Sequence, residues 1–152
     1  MTARNDLGAF LERVPYARFI GMKATLHGDE MTGVLPFAEH LIGNPSLPAL
    51  HGGLIGAFME LTAIAQLSIV EPQAKLPRTV DISIDYLRSG RPVDTFARAL
   101  IKRVGRRIAN VQVEAWQEAR GNPIAALRGH FLLTPMEQDV TPSSPGGIGR
   151  RG

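Results

Sequence analysis

The sequence predicts an α+β fold, an antiparallel β-sheet wrapped around one long buried helix. Two observations carry this. Residues 53–70 are apolar on nearly every side, as a helix enclosed by a core must be. Four segments in the second half alternate apolar and polar residues with period two, as strands with one core face and one more polar face do. Prolines and glycines punctuate the chain between these segments and mark its turns.

In chain order, residues 4–13 read as a first helix with Leu7, Phe10 and Leu11 on one face. Residues 22–27 and 31–37 read as two strands joined at Gly28-Asp29-Glu30. Residues 42–50, with Gly43, Asn44, Pro45 and Pro48, read as a loop. The long helix then runs over 53–70, and Pro72 and Pro77 end it. Val80, Ile82, Ile84 and Tyr86 form the apolar row of the next strand. The rows of the following three are Ala97-Ala99-Ile101, Ala109-Val111-Val113-Ala115 and Ala125-Leu127-Phe131-Leu133. Turns fall at Ser89-Gly90-Arg91-Pro92, Gly105-Arg106 and Gly121-Asn122-Pro123. One domain over residues 1–136 is expected. The remainder, 137–152, has little to bury and is expected to be a disordered tail.

At 152 residues the chain is long enough for one real core, and 44% hydrophobic with 20% charged residues is the balance of a globular protein. The absence of cysteine excludes disulfides, thiolate chemistry and Cys-ligated metals. The four histidines have no metal-ligand spacing, and there is no G-x-S-x-G elbow, GxGxxG or phosphate-binding lysine loop. Residues 1–13 carry acids and lack a long apolar run, so they do not read as a secretory signal. Glu60, Gln66 and three glycines argue against 52–70 as a membrane span. The expected location is the cytoplasm, with no membrane partner. Net charge is +3. Arg98, Lys102, Arg103, Arg106 and Arg107 fall in a stretch, 95–113, without an acid, which suits a phosphate-bearing ligand. No nucleic-acid recognition motif accompanies it, and nucleic acid is not an expected partner.

Between Glu39 and Glu71 the one ionisable residue other than histidine is Glu60. A carboxylate in an apolar segment is costly unless something pairs with it or uses it. It follows His51-Gly52-Gly53 by nine residues from the histidine. Glycines at a helix start expose N–H groups at the positive end of the dipole, where an oxyanion is stabilised; a turn that only caps the helix is the plainer alternative. Gly52 and Glu60 are separated by about 12 Å of helix axis, so one protomer can hardly bring both to one carbonyl. Two antiparallel helices can, which predicts a two-fold dimer with two equivalent sites. Glu60 would then activate water or attack a thioester directly; the alternative is a structural carboxylate at a dimer seam. His51 could orient Glu60, bond a substrate oxygen, or pack against the loop. Leu54, Phe58, Met59 and Leu61 could line an acyl tunnel or fill the core.

The run His51-Gly52-Gly53 with an acid nine positions after the histidine resembles hotdog-fold acyl-CoA thioesterases of the phenylacetate-degradation (PaaI) type. The strand Asp81-Ile82-Ser83-Ile84-Asp85-Tyr86-Leu87-Arg88 and the turn Lys102-Arg103-Val104-Gly105-Arg106-Arg107 are similar to the same family. The resemblance covers residues 15–134 in element order. It implies a hotdog fold and hydrolysis of an acyl- or aryl-CoA thioester. It implies Glu60 as base or nucleophile, the Gly52 N–H on the thioester carbonyl, and His51 in support. Thr79 would hold water or substrate, and Asn44 would position them. Asn44 stands seven residues before His51 where relatives use six, and Pro45 and Pro48 reshape its loop. Arg88, Arg91, Arg103, Arg106 and Arg107 are the implied contacts to CoA. No cofactor is implied, since CoA is part of the substrate. The implied assembly is a homodimer pairing into a homotetramer.

Two other readings share the fold. A hotdog dehydratase or hydratase would use His51 and Glu60 as proton-transfer groups on a thioester, and a non-catalytic protein would bind CoA esters without turnover. Release of free thiol separates hydrolysis from both.

Overall fold

The computed structural model of the chain describes residues 3–135. The expected tail, 137–152, lies outside the described residues. Helices α1 (Ala3–Arg13) and α2 (Pro15–Ile20) come first, then strands β1 (Lys23–His27) and β2 (Glu30–Leu35). A 3₁₀ turn (Glu39–Leu41) leads to short strands β3 (Ile42–Asn44) and β4 (Ala49–Leu50), and then to helix α3 (Gly52–Val70). Strands β5 (Arg78–Tyr86), β6 (Thr95–Val104), β7 (Ile108–Trp116) and β8 (Ala125–Leu132) follow.

The sheet has the order β1-β2-β6-β7-β8-β5, antiparallel throughout. It wraps α3, as the periodicities predict, in the hotdog arrangement that the family resemblance implies. Ala109, Val111, Val113 and Ala115 of β7 and Ala125, Leu127 and Phe131 of β8 are buried against the helix. Leu54, Phe58, Met59 and Leu61 are buried in the same core and fill it. The helix has the length and hydropathy of a bilayer span, but 67% of that window is buried inside the fold, as a core helix requires. Gln66, polar and buried, ties it to the β1–β2 hairpin: its Oε1 accepts from Met31 N at 2.8 Å and its Nε2 donates to Asp29 O at 2.7 Å.

Three elements differ from expectation. Residues Pro15–Ile20 form a second helix, started by Pro15 at its first position and capped by Gly21 at φ 77°. The expected loop 42–50 holds the β3–β4 pair. In β5 a bulge interrupts the pairing between Thr79 and Asp81, so Val80 leaves the apolar row and is exposed.

Candidate active site

The start of α3 is built by His51. Its backbone is extended, and its Nδ1 accepts from Gly53 N at 3.0 Å, a side-chain N-cap. With Nδ1 accepting, the neutral ring carries its proton on Nε2. The cap occupies the Gly53 N–H. The Gly52 N–H, at the first helical position, has no partner among the described residues. Of the two glycines, Gly52 therefore holds the free donor at the positive end of a 19-residue helix.

Tyr86, at the end of β5, holds this turn in place. Its hydroxyl donates to Gly52 O at 2.7 Å. One helical turn on, a Cβ at Gly56 would lie 2.7 Å from Ile84 Cδ1, so α3 lies directly against β5. Four residues of helix advance about 6 Å and two of strand about 6.8 Å, so the two elements keep step. Gly52 meets Tyr86 and Gly56 meets Ile84, and Glu60 is the next position on this inclined stripe of α3. Glu60 is half-buried, and its carboxylate has no hydrogen-bond or ion-pair partner among the described residues.

The strand beside it, β5, is a sheet edge. Val80, Ile82 and Tyr86 are exposed along it. The bulge at Val80 places Thr79 opposite the buried Phe131, on the helix-facing side of the sheet. Thr79 itself is exposed.

A cleft of about 360 Å³ opens at the helix start, lined by Leu50, Gly52, Ile55, Tyr86 and Arg88 among others. It brings Gly52 and Arg88 together. Asn44 lies outside it, exposed, its Oδ1 accepting from Ser46 N in a local turn. Arg91 stands on the neighbouring loop and pairs with Glu118. The loop is pinned by Gln117, whose Oε1 accepts from Arg91 N at 3.1 Å and whose Nε2 donates to Arg91 O at 2.9 Å.

The five arginines do not form one patch. Tyr86, Ala125, Trp116 and Thr95 share one end of the sheet, through the pairs Tyr86–Ala125, Ala115–Ala125 and Phe96–Trp116. Arg103, Arg106 and Arg107 belong to the β6–β7 hairpin at the other end, where Ile108 pairs with Leu132. A strand of nine or ten residues spans roughly 30 Å, so within one protomer these three are remote from Gly52. Sequence reasoning also passed over Tyr86 and Gln117 as site-building residues. Their partners, 34 and 26 residues away, gave no local signal.

The family model of the thioesterase superfamily matches residues 47–124, which span α3, Glu60 and the Arg88 loop. Among curated relatives, the medium/long-chain acyl-CoA thioesterase YigI of Escherichia coli is 29% identical over 124 residues, covering 72% of this chain and 79% of its own. Among solved structures, a protein from Chromobacterium violaceum is 39% identical at a TM-score of 0.71, covering 88% of this chain and 93% of its own. The PaaI protein of the phenylacetic acid degradation operon of E. coli superposes with a TM-score of 0.74 at 16% identity, over 86% of this chain and 92% of its own, a likeness of fold alone.

Proposed function

The chain belongs to the thioesterase superfamily, and on that premise we propose that it hydrolyses acyl-CoA thioesters at two equivalent sites, each shared by two copies of the chain. The observation that carries this is the contact of Gly52 and Gly56 with the unpaired edge strand β5, on the helix stripe that Glu60 continues. A long exposed edge with apolar side chains is a surface that proteins cover. Antiparallel pairing of β5 with its copy, about a two-fold axis near Gly56, sets Gly52 of one chain against Glu60 of the other. The 12 Å that separate them within a chain become a single carbonyl's width across the pair.

In this site the thioester carbonyl accepts from the Gly52 N–H, which strengthens as the oxygen becomes an oxyanion. Such a donor contributes about 3–4 kcal/mol to the transition state. The Glu60 carboxylate of the other chain takes a proton from water as its oxygen adds to the carbonyl carbon. The C–S bond then breaks, and the sulfur leaves with that proton as free CoA thiol beside the carboxylic acid. Direct attack by the carboxylate, followed by hydrolysis of the anhydride, uses the same geometry. His51 acts by capping the helix that carries the donor. Thr79, on the helix-facing side of β5, and Asn44, on the loop before the helix, are peripheral supports. Arg88 receives the CoA moiety at the cleft.

The curated relative YigI is a medium/long-chain acyl-CoA thioesterase, and we assign the same class of acyl group here. CoA is then part of the substrate and no resident cofactor is needed. The dimers pair into a tetramer, and the working location is the cytoplasm. The test is thiol release from acyl-CoA esters of graded chain length and from an aryl-CoA, read with a thiol-reactive dye. Turnover that favours medium or long chains, with Glu60→Ala at least a hundredfold slower, is expected. An unchanged rate in that variant overturns the role of Glu60. Hydration of an enoyl-CoA without thiol release overturns hydrolysis.

A further inference from the structure

The geometry points to a binding shelf for the adenine nucleotide of CoA on the outer face of the sheet, at Trp116, Phe96 and Arg120. This rests on the acyl-CoA reading above and names where the far end of that substrate docks.

The outer face is mostly polar. Near the end that carries Tyr86, two aromatic rings interrupt it. Phe96 and Trp116 are paired across β6 and β7 and stack with ring centroids 6.1 Å apart at 28°. Neither is buried. The Arg120 guanidinium lies over the Trp116 ring, 5.7 Å from its centroid. A small cleft opens here, lined by Trp116, Arg120, Arg98 and Leu100, with Glu30 and Glu114 on its border. Arg98 is tied to Thr32 and lies 3.9 Å from Glu30. Two arginines against two acids leave the shelf close to neutral. A flat aromatic surface with an arginine over it, and no strong net charge, suits a stacked base more than a phosphate.

The phosphates have their own place on the way there. Arg88 and Ser89 line the cleft at Gly52 and also line a second cleft around the end of the sheet, with Arg91, Gln117 and Asn122. Gln117 directly follows Trp116 in the chain. The two clefts are joined through Arg88 and Ser89, and the second reaches Gln117, one residue along the chain from the shelf. The Arg88 side chain has no ion-pair partner among the described residues, so it is a free cation between the helix start and the shelf. The 86–92 loop is held in place by the Gln117 contacts to Arg91 and by Leu50 N donating to Gly90 O at 2.9 Å. A thioester carbonyl at Gly52 then has its pantetheine arm over this loop, its phosphates at Arg88 and its adenine on Trp116.

Trp116 is the single tryptophan of the chain and reports on its own shelf. Titration of the full chain with adenosine 3′,5′-bisphosphate should change its fluorescence saturably. Trp116→Leu and Arg120→Ala should each raise KM for an acyl-CoA with kcat retained. They should also lower the preference for that ester over the matching N-acetylcysteamine thioester, which has no nucleotide, by about tenfold, the size of one lost base–aromatic stack. An emission that the nucleotide leaves unchanged overturns the shelf. So does a wild-type KM and wild-type preference in both variants. The titration reads binding alone, so it decides the shelf even if no thioester is hydrolysed. Conversely, turnover with no effect of either variant removes the shelf and leaves the hydrolase.

Discussion

The shared site can be tested by deleting one N–H without touching a side chain. Gly52 is the first helical residue, the one position where proline fits a helix without loss, because its N–H bonds nothing within the helix. The residue before it, His51, already has the extended backbone (φ −63°, ψ 128°) that precedes a proline. A Cβ at Gly52 would meet Tyr86 Cε1 at 3.4 Å, an ordinary contact. Gly52→Pro should therefore melt within a degree or two of wild type while losing about 10²–10³ in kcat, the cost of one oxyanion donor. Glu60→Ala should be equally well folded and inactive. The decisive measurement mixes the two. In a heterodimer of Gly52→Pro with Glu60→Ala, one site carries both defects and the other carries none. Random co-assembly should then restore about a quarter of wild-type activity from two inactive parents, since half the dimers are mixed and each has one good site. Co-expressed chains with two purification tags, assayed by thiol release, give the number directly. A mixed dimer as inactive as its parents would refute the site across the interface. Full activity in Gly52→Pro would refute the role of the N–H.

Other consequences follow from single contacts. His51→Ala should cost about 1 kcal/mol of stability through the lost N-cap, seen as a fall of about 3–5 °C in Tm. His51→Asn should restore both Tm and rate, and a restored Tm with a lost rate would instead put the imidazole on the substrate. Gly33→Ala should destabilise by about 1–3 kcal/mol, since its Cβ would lie 2.7 Å from Thr62 Oγ1 across the sheet–helix contact. Denaturant melts should show Thr62→Ala recovering part of that loss in the double variant. Gly56→Val should push α3 off β5, because even a Cβ there would lie 2.7 Å from Ile84 Cδ1. Its thioesterase activity should fall together with the dimer fraction measured by light scattering.

What could be read from the sequence was whatever leaves a local trace. The long helix showed itself because eighteen consecutive residues are apolar but for one carboxylate and three neutral polar side chains, Thr62, Gln66 and Ser68. The four later strands showed themselves because alternation is a property of neighbours in the chain. Glu60 stood out for the same reason, as a charge where charge is costly. The bulge at Val80 was hidden, because it is a mismatch with β8, some fifty residues on, and the apolar row through Val80 looked unbroken until the partner strand was in place.

The arginines show how proximity in sequence can mislead. Residues 98–107 look like one basic patch, yet Arg98, Lys102 and Arg103 lie on a strand that advances about 3.4 Å per residue toward the hairpin tip, and Arg106 and Arg107 lie in that tip. Each step along it leads away from the helix start. Arg88 and Arg91 belong to a loop that folds back onto the Gly52 end, and what holds it there is Gln117, twenty-six residues on from Arg91. Tyr86 is the same kind of residue. In the sequence it is one more apolar position of a strand, and only its bond to Gly52 O makes it the support of the helix start. The chemistry proposed for this site thus rests on residues that announce themselves, Glu60 and Gly52. Its geometry is carried by residues that do not, so a variant of Tyr86 or Gln117 should shift the placement of the substrate while leaving the chemistry in place.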